Sequence, residues 1–265
     1  MAYAQEYNRP IPGAVATAGV SDRVDFLRKT YAHLGFALLA WAAITMAMMK
    51  FMTETSFKFG MWALGVPSGS RWNWIAVLGA FMLVGWVAER MAQSNSSRGV
   101  QYGGLAIAVV AEAILLQPLL WVLAIKFGAR DVIDAGAGGH LVMSAKATSI
   151  LAQAAVLTGA IFGGLTAVVF ITKKDFSFMR GALTVASFAF LGLIIASAAF
   201  GFQMGTLFIA FGILLMAGYV LYQTSAVMQH FPPTHYVAAA LMLFSTVATL
   251  FWYVLQLLMK LNSRD

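Results

Sequence analysis

The sequence predicts an all-α integral membrane protein with seven transmembrane helices. Three observations predict it. Of the 265 residues, 61% are hydrophobic and only 10% are charged, against about 25% charged in a soluble domain. Seven apolar runs approach the roughly 20 residues that a helix needs to cross hydrocarbon. None shows the alternation of a strand, and lipid offers no partner for exposed backbone amides, so each run is read as a helix. A soluble core of this size could not hide so much apolar surface, because surface grows with chain mass.

The runs cover 32–52, 74–91, 103–125, 150–171, 181–200, 204–228 and 236–259. The second is the shortest. Ahead of them, residues 1–20 are small and polar, with Pro10, Pro12 and Gly13. They lack the basic start and apolar stretch of a signal peptide. The expectation is a flexible tail over 1–23 and one membrane domain over 24–265, its first span an uncleaved anchor. Two connections are long. One, 53–73, carries Trp62 and Trp72 and adjoins Trp74, residues suited to the interfacial belt. The other, 126–149, carries Asp131, Asp134, His140 and several glycines. The brief 201–203 turn makes the fifth and sixth spans antiparallel neighbours, and Phe231-Pro232-Pro233-Thr234 breaks the chain before the last. The basic doublets Arg28–Lys29 and Lys173–Lys174 flank spans on the same side. The positive-inside rule weights such flanks most, which puts the N-terminus inside and the C-terminus outside.

With no cysteine, disulfides, thiolate catalysis and Cys-ligated metals are excluded. The net charge of +7 comes from basic residues near the ends of apolar runs, where anionic headgroups are the expected partner. No nucleic-acid-reading motif is visible. The histidines do not converge on a metal site. No cofactor motif or hydrolase signature stands in a credible context, so no cofactor, metal or enzymatic activity is expected. The sharpest signal is Glu112, the one acid near the middle of a span. A charge there costs roughly 2.5–3.5 kcal/mol on insertion scales. It reads either as an intramembrane ion or proton site, with Gln117 as a neighbour and Pro118 freeing a carbonyl nearby, or as a carboxyl filling a polar gap between helices. Gln153, Gln223, Thr246, Thr249 and Gln256 read as interhelical hydrogen-bonding groups. Gly159 and Gly163 have GxxxG spacing, which fits close packing within the chain as well as dimerisation.

Three stretches resemble the Bax inhibitor-1 family. They are Phe26-Leu27-Arg28-Lys29-Thr30-Tyr31 before the first span, Thr172-Lys173-Lys174-Asp175-Phe176-Ser177-Phe178 after the fourth, and Leu221-Tyr222-Gln223-Thr224-Ser225 in the sixth. Pro118 among leucines fits the family's third helix, and the terminal Ser263-Arg264-Asp265 is similar to the bacterial YccA-like branch. The resemblance implies six helices around a central C-terminal seventh. It also implies residence in the bacterial inner membrane with the N-terminus cytoplasmic and the C-terminus outside. Two functional pictures come with it. In one, YccA-like members bind and modulate an FtsH-type membrane protease with HflK/HflC-like proteins. In the other, members are pH-sensitive calcium leak channels gated by an aspartate pair on the sixth and seventh spans. The matching positions here are Gln223 and Thr246, neither of which titrates. A structural subunit of a larger membrane assembly is the third alternative.

Overall fold

The structure, a computed structural model, describes residues 13–94, 97–128, 143–202 and 204–263. Among these residues all regular structure is helical: α1 (Val20–Phe51), α2 (Thr53–Ala63), α3 (Trp72–Ala92), α4 (Arg98–Phe127), α5 (Ala145–Thr172), α6 (Met179–Phe200), α7 (Thr206–Gln229) and α8 (Tyr236–Leu261), preceded by a short 3-10 turn at Val15–Thr17. All but α2 are long and apolar enough to cross a membrane.

The expected spans are all present, and several helices outrun their apolar runs. A helix does not end at the hydrocarbon boundary if its next turns are polar but helix-compatible. The first begins at Val20 because 20–31 continue the helical register, with Phe26 and Thr30 buried. That shortens the tail expected over 1–23. Residues 1–12 lie outside the described residues, but Val15 is 1% exposed and its amide donates to Phe231 O at 2.9 Å. Arg23 Nε then donates to Val15 O at 3.1 Å. The 3-10 turn is thus docked on the turn between α7 and α8.

The 53–73 connection is the larger departure. Its first half is the helix α2, packed on α4 through the small residues Ser56, Gly60 and Ala63. A Cβ on Gly60 would lie 2.8 Å from Trp121 Cδ1, so only glycine permits this approach.

Ser97 and Ser144 start α4 and α5 as N-caps, accepting from Val100 and Ala147 amides. Ser144 Oγ also donates to Phe127 O at 2.7 Å, which ties the foot of α5 to the end of α4. Asp131, Asp134 and His140 lie between those ends, outside the described residues. α6 and α7 are neighbours, as the brief connection requires, with Gly201 closing α6 at a left-handed φ of 78°.

α8 is the hub. It packs against α1, α3, α4, α5 and α7, and its Tyr253 ring meets Phe190 of α6 at 5.6 Å. Along it, Val237, Leu243, Phe244, Leu250, Val254 and Leu255 are fully enclosed. In lipid the gain from such enclosure is packing and hydrogen bonding rather than escape from water. α3 and α6 contrast with it, burying only Ala88 and Ala92, and Leu183 and Phe190.

Of the two readings of the GxxxG spacing, close packing within the chain is not found among the described residues. A Cβ on Gly159 or Gly163 would meet nothing within 4 Å, so neither packs within the chain. Gly104 of α4 instead presses onto α3, where a Cβ would lie 2.4 Å from Ala88 O and 2.8 Å from Ala92 N.

Candidate functional site

Glu112 faces the bundle interior. It is 5% exposed, and its Oε1 has no hydrogen-bond partner among the described residues. With Leu115, Leu119 and Val122 it forms one stripe of α4, at the three- and four-residue spacing of a helix face. The stripe lines a cavity of about 680 Å³. Trp74, Leu78 and Phe81 of α3, Ile194 and Ser197 of α6, Phe208 and Ile209 of α7, and Thr249, Trp252, Tyr253 and Gln256 of α8 supply most of the remaining lining. Arg71, just ahead of α3, also lines it and lies against Gly201 in the α6–α7 connection. One edge of the cavity therefore reaches the end of the bundle that carries α2. Trp74 and Trp252 stack there, with centroids 5.6 Å apart and planes within 17°.

Gln117 does not share this site. Five residues at 100° each place it about 140° around α4 from Glu112. It faces α2, where Ser56 Oγ donates to Gln117 Oε1 at 2.7 Å and Trp121 Nε1 donates to Ser56 Oγ at 2.8 Å. Gln117 Nε2 donates back to Ala113 O at 3.0 Å. Every member of this chain is buried, so it fixes α2 on α4 and offers nothing to a ligand.

Gln223 and Thr246 do meet. Thr246 Oγ1 donates to Gln223 Oε1 at 2.7 Å between α7 and α8, with both residues buried. The bond joins two neutral groups, so it neither holds a shared proton nor presents a carboxylate to a cation. Of the other expected interhelical groups, Gln153 is exposed and bonds Ser149 on its own helix, and Thr249 donates to Ser245 O one turn back.

The basic flanks sit at one end of the bundle. Arg28 is exposed. Lys29 Nζ pairs with Asp25 at 2.6 Å and lies 5.7 Å from the centre of the Tyr236 ring. Lys173 caps α5 in the left-handed region, φ 52°, where its amide donates to Val169 O. Lys174 follows, exposed. Asp175 turns the chain by accepting from the Ser177 amide at 2.8 Å, and also accepts from Ser225 Oγ at 3.2 Å. Ser225 Oγ accepts from the Phe176 amide at 3.0 Å. Two of the three recognisable sequence stretches are thereby tied to one another through Ser225, which is fully buried.

A second cavity of about 750 Å³ lies between α1, α4, α5 and α8. Its lining is mostly apolar, with Lys50, the Trp41 indole and three threonines, Thr45, Thr148 and Thr158, as its polar groups and no carboxylate among the described residues. Among the described residues no group of three or more His, Asp or Glu could hold a metal ion.

Comparison with known proteins places these features in a lineage. Residues 23–264 match the family model described as inhibitor of apoptosis-promoting Bax1. An uncharacterized membrane protein of Vibrio cholerae is 33% identical over 121 residues, which is 44% of this chain and 52% of that protein. Bax inhibitor 1 of Schizosaccharomyces pombe is also 33% identical over 121 residues, 44% of each chain. The match thus spans about half the length of these curated relatives. A protein of Neisseria meningitidis is 26% identical over 252 residues, 94% of this chain and 96% of its own. The family match over nearly all of the bundle, joined to seven spans of which the C-terminal one is the most buried, makes this multi-pass membrane protein a member of the Bax inhibitor-1 family.

Proposed function

We propose that this chain is a non-catalytic binding partner and modulator of an FtsH-type membrane protease, acting with HflK/HflC-like proteins in a bacterial inner membrane. One observation favours this reading over a pH-gated calcium leak. The α7–α8 pair at the family's aspartate positions is the neutral Thr246–Gln223 hydrogen bond. Two adjacent carboxylates would raise one another's proton affinity and so sense pH. An amide and a hydroxyl keep one state across the physiological range, which suits a fixed binding body. In this reading the N-terminus is cytoplasmic, and residues ahead of the docked Val15–Thr17 turn supply the segment that the protease engages.

The test is gentle affinity purification of the full chain from its native membrane. Stoichiometric recovery of an FtsH-type protease with HflK/HflC-like proteins is expected, together with altered turnover of a protease reporter when residues 1–12 are removed. Recovery without them, accompanied by calcium flux from liposomes that responds to pH, would overturn the reading in favour of the leak. Stoichiometric recovery in a different complex would overturn it in favour of a structural subunit.

A further inference from the structure

We propose that the Glu112 cavity binds a lipophilic organic cation of single positive charge, seating the charge on the Glu112 carboxylate and the hydrocarbon body against the aromatic wall. The inference stands whether or not a protease is the partner.

The argument begins with an incomplete side chain. A buried carboxylate oxygen without a donor is rare, since buried polar groups are nearly always partnered. Glu112 Oε1 is such an atom, and Glu112 lines a cavity of about 680 Å³. That volume lies in the range of small-molecule sites, roughly 300–1,000 Å³. It is far larger than a metal ion requires.

The chemistry of the lining selects among ligands. A calcium ion takes about six to eight oxygens, but among the described residues Glu112 is the cavity's sole carboxylate. The other polar side chains of the lining, Ser197, Thr249, Tyr253 and Gln256, add only neutral oxygens. One carboxylate balances one positive charge and leaves half of a dication uncompensated. Arg71, also in the lining, adds a positive charge that repels a dication twice as strongly as a monocation. The remaining wall is aromatic. Trp74, Trp252, Phe81, Phe208 and Tyr253 all contribute to it. Aromatic faces attract organic cations, indole most strongly, and shelter their carbon. One deep carboxyl group without a donor, a broad aromatic wall and no second acid among the described lining residues fit a bulky monocation.

The probe is tetraphenylphosphonium, titrated calorimetrically into the full-length protein in phosphatidylcholine nanodiscs. Tetraphenylborate, with the same shape and opposite charge, reports binding driven by apolar surface alone. The expected result is saturable one-to-one binding of the phosphonium that weakens at least tenfold in Glu112→Gln. Glu112→Asp keeps the charge and should stay within threefold of the unsubstituted protein. Tetraphenylborate binding should not depend on Glu112, and millimolar calcium should not displace the phosphonium. Equal phosphonium affinity in the unsubstituted protein and Glu112→Gln, each verified as folded by circular dichroism, would overturn the proposal. So would equal losses in Glu112→Asp and Glu112→Gln, or displacement by calcium.

Discussion

Gly104→Ala and Gly159→Ala make the same chemical change and should act in opposite directions. At Gly104 the added methyl would lie 2.4 Å from Ala88 O, 2.8 Å from Ala92 N and 3.0 Å from Met91 Cβ. Two of those three atoms are backbone, so no rotamer change relieves the clash. α3 and α4 must separate instead. Overpacking typically costs 1–3 kcal/mol, and a backbone obstacle places this case near 3. Replacing a mid-helix glycine by alanine returns up to about 1 kcal/mol. The expected net loss is therefore about 2 kcal/mol for Gly104→Ala. At Gly159 nothing lies within 4 Å, so only the helix gain of up to about 1 kcal/mol applies. The two variants should differ by about 3 kcal/mol. Thermal unfolding in a mild detergent, followed by tryptophan fluorescence, gives the order directly. If Gly104→Ala unfolds at or above the temperature of Gly159→Ala, the close approach of α3 to α4 is wrong.

Ser56→Ala strands the Trp121 indole donor and the Gln117 carbonyl. It should destabilise the protein by about 2 kcal/mol and shift tryptophan emission, whereas an unchanged spectrum would refute the α2–α4 bonding described. Ser225→Ala cuts the tie between Asp175 and α7. It should cost about 1–2 kcal/mol and speed amide exchange at 174–178; exchange as slow as before would show that the tie does not hold that segment. On the exposed surface of α2, Lys58 holds the Glu54 carboxyl below its ordinary value of 4.5, first by a hydrogen bond and then by its charge. A depressed folded value means that the pair contributes above the ordinary value and is lost as pH falls through the folded one. Lys58→Met should move the Glu54 titration, read by carboxyl NMR, up toward 4.5 with no resolvable change in unfolding temperature; a titration that stays put would exclude Lys58 as the cause.

The spans were legible because lipid leaves the backbone no choice but helix, and apolar runs record where lipid is. The ends were less so, since Val20–Tyr31 continues α1 in residues too polar to register as a run. α2 was missed for a related reason. Its 11 residues are too short to span, and Trp62 with the nearby Trp72 and Trp74 suits an interfacial connection. The signal was present in Ser56, Gly60 and Ala63, small residues four and then three apart, the pattern of one helix face. Glu112 was found because a mid-span acid is conspicuous. Its separation from Gln117 needed only the helical angle. The cavity needed coordinates, because it draws residues from α3, α4, α6, α7 and α8, and no local pattern announces so dispersed a set. The GxxxG spacing of Gly159 and Gly163 left packing within the chain and dimerisation open, because such spacing says how near a partner can come, not whether one is there. Ala88 and Ala92 share that four-residue spacing and do face a partner, Gly104.

α3 and α6, which wall the Glu112 cavity, are also the helices with fewest buried residues, two each. Little packing has to be given up for them to part. A hydrocarbon-soluble guest of the kind proposed would then enter from the bilayer by their parting, rather than from water. Its concentration at the point of entry is set by how strongly it dissolves in the bilayer. Binding curves plotted against aqueous concentration will then shift with acyl-chain composition while the intrinsic affinity stays fixed. Dose for this cavity is properly counted per lipid, not per litre.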